Sequence, residues 1–528
     1  RINYLSTQFS FDGWLKYALH TFRLTSNDVM NHRKEPLDDE FFRDIRAVSD
    51  AIQIIYHTPI PKELAEILPK QMSKYSMKRE KNVLERRIRV SFEYADDEFL
   101  YVTPVDEVSD ECWKIRYNQL GINDEFTEGI KEYWRHAQLN LLDVKRNDDG
   151  TYTPSFIVLE PDYLVDISAL AECYRDYGSH PANYIMSRLV PIDNARPLLL
   201  GNIANLFLDE WIYASEEEPE YLDCMKKVFK RYPVELAACE ELLDKEKETA
   251  FFKDCQMHFE HIRQTVKDTF LEPGYNLDKS DAVLEPSYIC EALGVQGRLD
   301  YMQRDMSSFI EMKSGKADEY AMKGKLEPKE NNRVQMLLYM AVLEYSMGID
   351  RRKQHPYLLY TRYPLLYPAR ASWAQVRRII ALRNRIVAAE YGTQMHNHPS
   401  YTAELLAQIN PVTLNEKKLQ GRFWEQYLAP GIINFQKRLQ SLDDLEKTYL
   451  YTLYNFITKE LYTSKSGDVD SESKTGASTL WLSTLDEKRE AGEILYDLRI
   501  IENKASQPHK ATITLRIPEY DEEFLPNF

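Results

Sequence analysis

The 528-residue chain is 43% hydrophobic and 29% charged, a balance that supports packed cores, and its length points to three or four domains. Its net charge of −17 argues against a protein that coats nucleic acid through a uniformly basic surface. No apolar run reaches the roughly 18 residues of a membrane-spanning helix, and no signal peptide is recognisable after Arg1. The six cysteines (Cys112, Cys173, Cys224, Cys239, Cys255, Cys290) are scattered without a CxxC pair, which argues against structural zinc and a disulfide scaffold. They read as small apolar residues of a protein in the reducing cytoplasm, and with the function inferred below this becomes a cytoplasmic, nucleoid-associated location.

In chain order, residues 1–85 read as a helical region, with apolar positions at helical spacing in DDEFFRDIRAVSDAIQIIY (38–56). From 86 the texture changes to short aromatic and β-branched runs: RIRVSFEY, FLYVTP, CWKIRYN, QLNLLDV and SFIVLE, with turns such as NDDG (147–150). A small OB-like β-barrel is expected over 86–165. Such barrels bind single strands through exposed aromatics. Trp113, Arg116 and Tyr117 are candidates for that role, and core packing is the expected role for most of them.

Helices return at LLLGNIANLFLDEWIYA, and an α/β domain is expected over 166–400. Within it the sequence predicts a β-hairpin over 294–315 and a helix NRVQMLLYMAVLEYSM (332–347). The strand PYLLYT (356–361) and the helix QVRRIIALRNRIVAAEY (375–391) complete the unit. Helices over 401–462 are expected to pack on this domain, chiefly through TYLYTLYNF (448–456). The Gly- and Ser-rich 463–479 reads as a flexible loop, and 480–528 as the start of a β-rich domain with ILYDLRII and ATITLRI.

Charge is uneven along the chain. Residues 311–390 carry 15 Lys+Arg against 8 Asp+Glu, a local balance of +7, while SEEEPEYLD (215–223) and CEELLDKEKE (239–248) read as solvated acidic helix faces.

The stretch GRLDYMQRDMSSFIEMKSGK (297–316) puts two acids and a lysine on strands. Glu311 and Lys313 are two apart, so they share a strand face, and Met312 points to the other layer. Asp300 can lie beside Glu311 across the hairpin. Two carboxylates suit Mg²⁺ or Mn²⁺, and a neighbouring lysine can orient a water or steady charge on a phosphate. An exposed Glu–Lys pair is the plainer alternative. Gln335 and Tyr339, four apart, share a helix face downstream.

GxxD at 297–300, ExKxG at 311–315 and QxxxY at 335–339, in that order, resemble the RecB-like branch of the PD-(D/E)XK nuclease superfamily. FIVLEPDYLVDIS, LLLGNIANLF, LGVQGRLD, FIEMKSGK, NRVQMLLY and LLYTRYP…IIALRN are further similar to the DNA-replication helicase/nuclease family, which trims 5′ flaps. The likeness covers roughly 86–528 and is best from 156 to 390. It implies an α/β, restriction-endonuclease-like core, a mixed sheet flanked by helices, with a small N-terminal β-barrel and helical extensions. Asp300 and Glu311 are implied as metal ligands, Lys313 as the catalytic lysine, and Gln335 and Tyr339 as site neighbours. Arg333, Lys316 and Arg298 are implied to touch DNA, with an exposed helix arginine as the plain alternative for Arg333.

Three departures qualify the pattern. Asn205 stands where the family places a metal-binding histidine; Asp209, one helical turn on, is the candidate substitute or else a surface acid. No cysteine follows Cys290, so the iron–sulfur cluster of many members is not expected. No GxxxxGK[ST] loop occurs, so no ATP site is expected in this chain.

The expected function is a divalent-metal-dependent nuclease acting on single-stranded DNA or flap strands, with the helicase domain in the same, longer natural polypeptide. The alternatives are a catalytically inactive module that binds DNA or a helicase, and a stand-alone recombination or repair exonuclease. No membrane partner is expected.

Overall fold

A computed structural model describes 38–69, 84–105, 112–189, 196–214, 217–275, 277–320, 325–369, 372–396, 398–467, 476–492, 494–505 and 511–518, with scattered positions before 30. The chain divides into two compact units, 1–160 and 161–528, and the architecture is mixed α/β.

In the first unit, helix α1 (Asp38–Tyr56) takes the bounds its apolar spacing predicts. Ala47 and Ala51 are its buried stripe, packed with Phe11 and Leu15. The barrel follows: β1 (Leu84–Ala95), β2 (Phe99–Pro104), β3 (Trp113–Arg116), β4 (Gln138–Arg146), β5 (Tyr152–Thr153) and β6 (Phe156–Leu159). Strands run β1-β2-β3-β5-β4, and β4 pairs back onto β1, closing the sheet. A register shift between Phe92 and Tyr94 marks a bulge in the long β1, which bends it enough to pair with both neighbours.

Alternation fills the interior with Val90, Leu100, Val102, Ile115, Leu139 and Leu141, all fully buried. β3 and β5 are parallel. The fully buried Asn123 fastens this seam by donating to the carbonyls of Arg116 (3.0 Å) and Pro154 (2.8 Å). Trp113 stacks on the buried Tyr152, ring centroids 4.6 Å apart, and Tyr117 is buried with its hydroxyl donating to the Asp96 carbonyl. Those two candidates therefore pack, and only Arg116 lies on an outward strand position.

Two sheets form the centre of the second unit. β7 (Val165–Asp166), β9 (Ser287–Cys290) and β10 (Val295–Arg298) form the smaller, ordered β7-β10-β9. β8 (Ala282–Leu284), β11 (Tyr301–Gln303), β12 (Ser308–Lys313), β13 (His355–Tyr360) and β14 (Leu365–Pro368) form the larger, ordered β14-β13-β12-β11-β8. β12 and β13 are parallel neighbours, joined through helix α5 (Glu330–Met347) as a βαβ crossover. α5 is buried from Val334 to Glu344, the mark of a central helix, and ends at Gly348, whose φ of 73° suits the left-handed cap.

Helices α3 (Arg196–Tyr213) and α4 (Lys245–Lys267) pack together over one face of the larger sheet. Phe207, Trp211, Phe251 and Phe259 meet Tyr301, Ile310, Met312, Tyr357 and Leu359 there in one apolar cluster. Helix α2 (Ile167–Ala171) packs on α5.

Helix α6 (Trp373–His396) carries the fully buried Arg383, whose guanidinium donates to the carbonyls of Gly294 (3.1 Å) and Tyr163 (2.5 Å). Helix α7 (Asp444–Ser466) packs on α6. Its Tyr462 stacks on Tyr163 at 4.9 Å, and Lys465 donates to the Leu164 carbonyl. From the aromatic segment 448–456, the buried Tyr454 and the partly buried Leu450 and Tyr451 join a cluster with Tyr177, Ala182 and Ile185, while Tyr449, Leu453 and Phe456 are exposed.

Two boundaries differ from expectation. Part of the loop expected over 463–479 is helical, because α7 runs to Ser466; residues 468–475 lie outside the described positions. The C-terminal strands are a lone hairpin, β15 (Arg499–Asn503) with β16 (Ile513–Arg516). The five sulfurs other than Cys112 are buried, and all six cysteines are free thiols.

Candidate active site

The first arm of the hairpin expected over 294–315 is broken into two strands that belong to two different sheets. β10 pairs with β9 and β7, whereas only β11 turns back onto β12. The chain switches sheets at Leu299–Asp300, so Asp300 sits just before β11 and not within a strand. The physical reason is visible at the switch: Asp300 Oδ2 accepts the Met312 N–H at 2.7 Å, so a side chain takes the place of the next rung of the ladder. The register, Tyr301 opposite Ile310, continues to bring Asp300 opposite Glu311.

Glu311 lies in β12 and is 3% exposed. Lys313 Nζ donates to Glu311 Oε1 at 2.8 Å and to Gln335 Oε1 at 2.9 Å. Gln335 is buried on α5, and one turn further Tyr339 donates its hydroxyl to the Arg298 carbonyl at 2.6 Å. Gly297 makes room for that tyrosine: a Cβ there would stand 2.9 Å from the Tyr339 hydroxyl and 3.1 Å from Ile167 Cδ1. All five residues expected at the centre therefore meet around the ends of β11 and β12.

Electrostatics in this cluster are strained. Burial, then the Asp300 charge, push the Glu311 carboxyl up to about 8, against the opposing pull of Lys313. Burial also raises Asp300. For Lys313 burial works downward, and the charges of Glu311 and Asp300 outweigh it, so the ammonium is held above its ordinary range. Glu311 Oε2 is buried without a hydrogen-bond partner. Negative charge is thus under-compensated at this point, a state that a proton or a cation relieves.

Of the outer residues, Asn205 and Asp209 share one stripe of α3 with Gly201, four residues apart each. A Cβ on Gly201 would stand 3.5 Å from Ser314 Oγ, just past Lys313. At the other end of the stripe, burial and then the Glu285 charge push the Asp209 carboxyl up to about 7, with a smaller contribution from Asp300. Asn205, between them, is half-buried.

Arg298 is exposed and pairs with Glu285 at 3.3 Å. Arg333 is exposed and donates to Gln375 Oε1 at 3.2 Å. Lys316 is exposed beyond the end of β12.

Two features escaped sequence reasoning. Glu285 adopts a positive φ of 49° while its N–H donates to the Asp300 carbonyl at 3.1 Å. A lone acid before Pro286 gives no sequence signal for that. Thr361 donates its N–H to the Lys313 carbonyl at 2.9 Å, and its hydroxyl meets His258 Nδ1 at 2.8 Å. This partnership spans 103 positions and has no motif.

Among the described residues no three His, Cys, Asp or Glu side chains are grouped closely enough to hold a metal ion unaided. The oxygen donors of Asp300 and Glu311, with the orphaned Oε2, nonetheless fit a hard divalent ion, which takes one or two carboxylates and completes its shell with water and phosphate oxygens. Set against known proteins, the chain matches no family model and no curated sequence.

Proposed function

We propose that the chain is a divalent-metal-dependent DNA nuclease of the PD-(D/E)XK, RecB-like type, acting on single-stranded DNA or flap strands. One observation carries this reading. Lys313 is held between Glu311 and Gln335 at 2.8 and 2.9 Å, with Asp300 in register opposite Glu311, at the C-terminal end of β12 in a βαβ unit.

In this reading Asp300 and Glu311 hold Mg²⁺ or Mn²⁺, which supplies positive charge at the scissile phosphate and a more acidic water. Glu311 offers its unpartnered Oε2 toward that charge. Lys313, fixed by Gln335, presents its ammonium where charge develops on the phosphate. Tyr339 braces the strand end through the Arg298 carbonyl, which keeps Asp300 in place. Arg298, Arg333 and Lys316 are exposed cations that suit backbone phosphates. The strand order of the barrel and its parallel β3–β5 pair match an OB-like barrel, an architecture that often binds oligonucleotides. A helicase domain in the same natural polypeptide, and a cytoplasmic, nucleoid-associated location, belong to the same proposal.

A second reading, a strand-binding module without cleavage, is favoured by Asn205 in the place of a ligating histidine. An amide oxygen is a weaker ligand than imidazole. Incubation of end-labelled single-stranded DNA with Mg²⁺ or Mn²⁺ tests both. The nuclease reading expects products that disappear in Glu311→Ala. Intact DNA at every metal concentration selects the binding module.

A further inference from the structure

We infer that the outer β1-β2-β3 face of the barrel is a second, stacking site for single-stranded nucleic acid, built on Tyr94, Phe99 and Tyr101. The inference extends the nucleic-acid reading of the chain but does not depend on the chemistry at Glu311.

The face is set by strand alternation. Leu100, Val102 and Ile115 point inward and are fully buried, so Phe99, Tyr101, Lys114 and Arg116 point outward. Cross-strand register aligns them in two rows, Tyr94–Tyr101–Lys114 and Phe99–Arg116. Tyr94 is 55% exposed and stacks on Tyr101 with centroids 4.3 Å apart and planes 12° off parallel. Phe99 meets Tyr101 edge-on at 6.5 Å. Lys114 Nζ stands 5.7 Å from the Phe99 centroid and 5.8 Å from that of Tyr101, and the Arg116 guanidinium stands 5.2 Å from Phe99. The exposed Tyr94, backed by the half-buried Tyr101, offers a flat π-surface to water at the place where closed five-stranded barrels of this order receive oligonucleotides.

The ligand chemistry follows from charge. Asp96 accepts the Tyr101 hydroxyl at 2.9 Å and the N–H groups of Glu98 and Phe99. Asp149 pairs with Arg116 at 2.7 Å. With two cations on the face, and one of them already paired, phosphate contacts add little. Base stacking must carry the binding. The site should therefore take unpaired bases of any sequence and reject duplex, whose bases are already stacked.

The test is fluorescence anisotropy on the full chain in EDTA, which prevents metal-dependent cleavage. The probe is a fluorescein-labelled oligothymidylate of about a dozen nucleotides, within the span of one such barrel. Tyr94→Ala and Phe99→Ala are each expected to weaken binding by roughly 5- to 150-fold, the usual effect of losing one stacking ring. Tyr94→Phe keeps the ring and should bind like the parent. The slope of log K against log salt should be no steeper than about −1.4, two cations at about 0.7 each. Circular-dichroism melts confirm that the variants fold. Parent-like binding by both alanine variants, equal affinity for duplex, or no binding by the parent would each overturn the site. None of these outcomes depends on whether the protein cleaves DNA, so failure here and failure of the nuclease reading remain separable.

Discussion

Lys313 Nζ lies 2.8 Å from Glu311 Oε1, and the carboxylate it neutralises keeps its second oxygen buried and unpartnered. Lys313→Ala and Asp300→Ala are each expected to lower cleavage by on the order of a hundredfold or more, the cost of removing one preorganised charge at a reacting phosphate. Gln335→Ala should cost less, about tenfold, because it orients the ammonium and carries no charge of its own. Single-turnover rates with folding checked by circular dichroism measure all three; normal rates in either charge variant would mean that the site lies elsewhere.

The stripe Gly201–Asn205–Asp209 on α3 sets up a metal titration. Asn205→His should lower the Mn²⁺ concentration needed for half-maximal cleavage, since neutral imidazole is the better ligand. Asp209→Ala should raise it, because an acid already pushed up to about 7 by burial and by Glu285 is relieved by a nearby cation. An unchanged requirement in both variants would remove α3 from the metal site.

Acid should unfold the second unit partly through His258. Burial holds its imidazole down at about 4, with Arg362 and His261 adding to that and Thr361 and Asp254 opposing it. The unfolded histidine takes a proton near pH 6.5. Between those values the unfolded state binds more protons, so the stability contribution is full above about 6.5 and is lost as pH falls toward 4, at up to about 1.4 kcal/mol per pH unit. His258→Gln should flatten that part of the curve. Thermal melts at pH 7 and pH 5 measure it: an equal loss in parent and variant would show that His258 does not titrate in this window.

Two glycines of the motif should behave oppositely. Gly297→Ala forces a Cβ against the Tyr339 hydroxyl and Ile167 and should cost about 1–3 kcal/mol. Gly315→Ala meets nothing within 4 Å and should change stability by less than about 0.5 kcal/mol. Chemical denaturation of both variants decides it, and equal costs would refute the packing argument.

Local pattern made much of this legible. Alternation in RIRVSFEY and FLYVTP located barrel strands and helical spacing located α1, because these elements bury a face that their own period defines, whereas QLNLLDV and α5 showed as apolar runs and are buried on more than one face. Glu311, Lys313, Gln335 and Tyr339 were legible because strand and helix periods fix which side chains share a face. Two features were not legible. The sheet switch at Asp300 depends on its side chain capping the Met312 N–H of the neighbouring strand, which no periodicity encodes. Glu285 reaches Asp300 through a positive φ that no glycine announces. The aromatic face was legible only in part: Trp113 and Tyr117 pack inward, the core role expected for most of that set, while Tyr94, exposed through strand parity after the β1 bulge, was not singled out.

The central claim is that Glu311 is part of a hydrolytic centre. The most direct measurement is the cleavage rate of end-labelled single-stranded DNA in Mn²⁺, parent beside Glu311→Ala from the same purification, each then repeated in EDTA. The account predicts metal-dependent products from the parent, none in EDTA, and a loss of on the order of a hundredfold or more in the variant. Equal cleavage by the two proteins, or none by the parent at any Mg²⁺ or Mn²⁺ concentration, would contradict it.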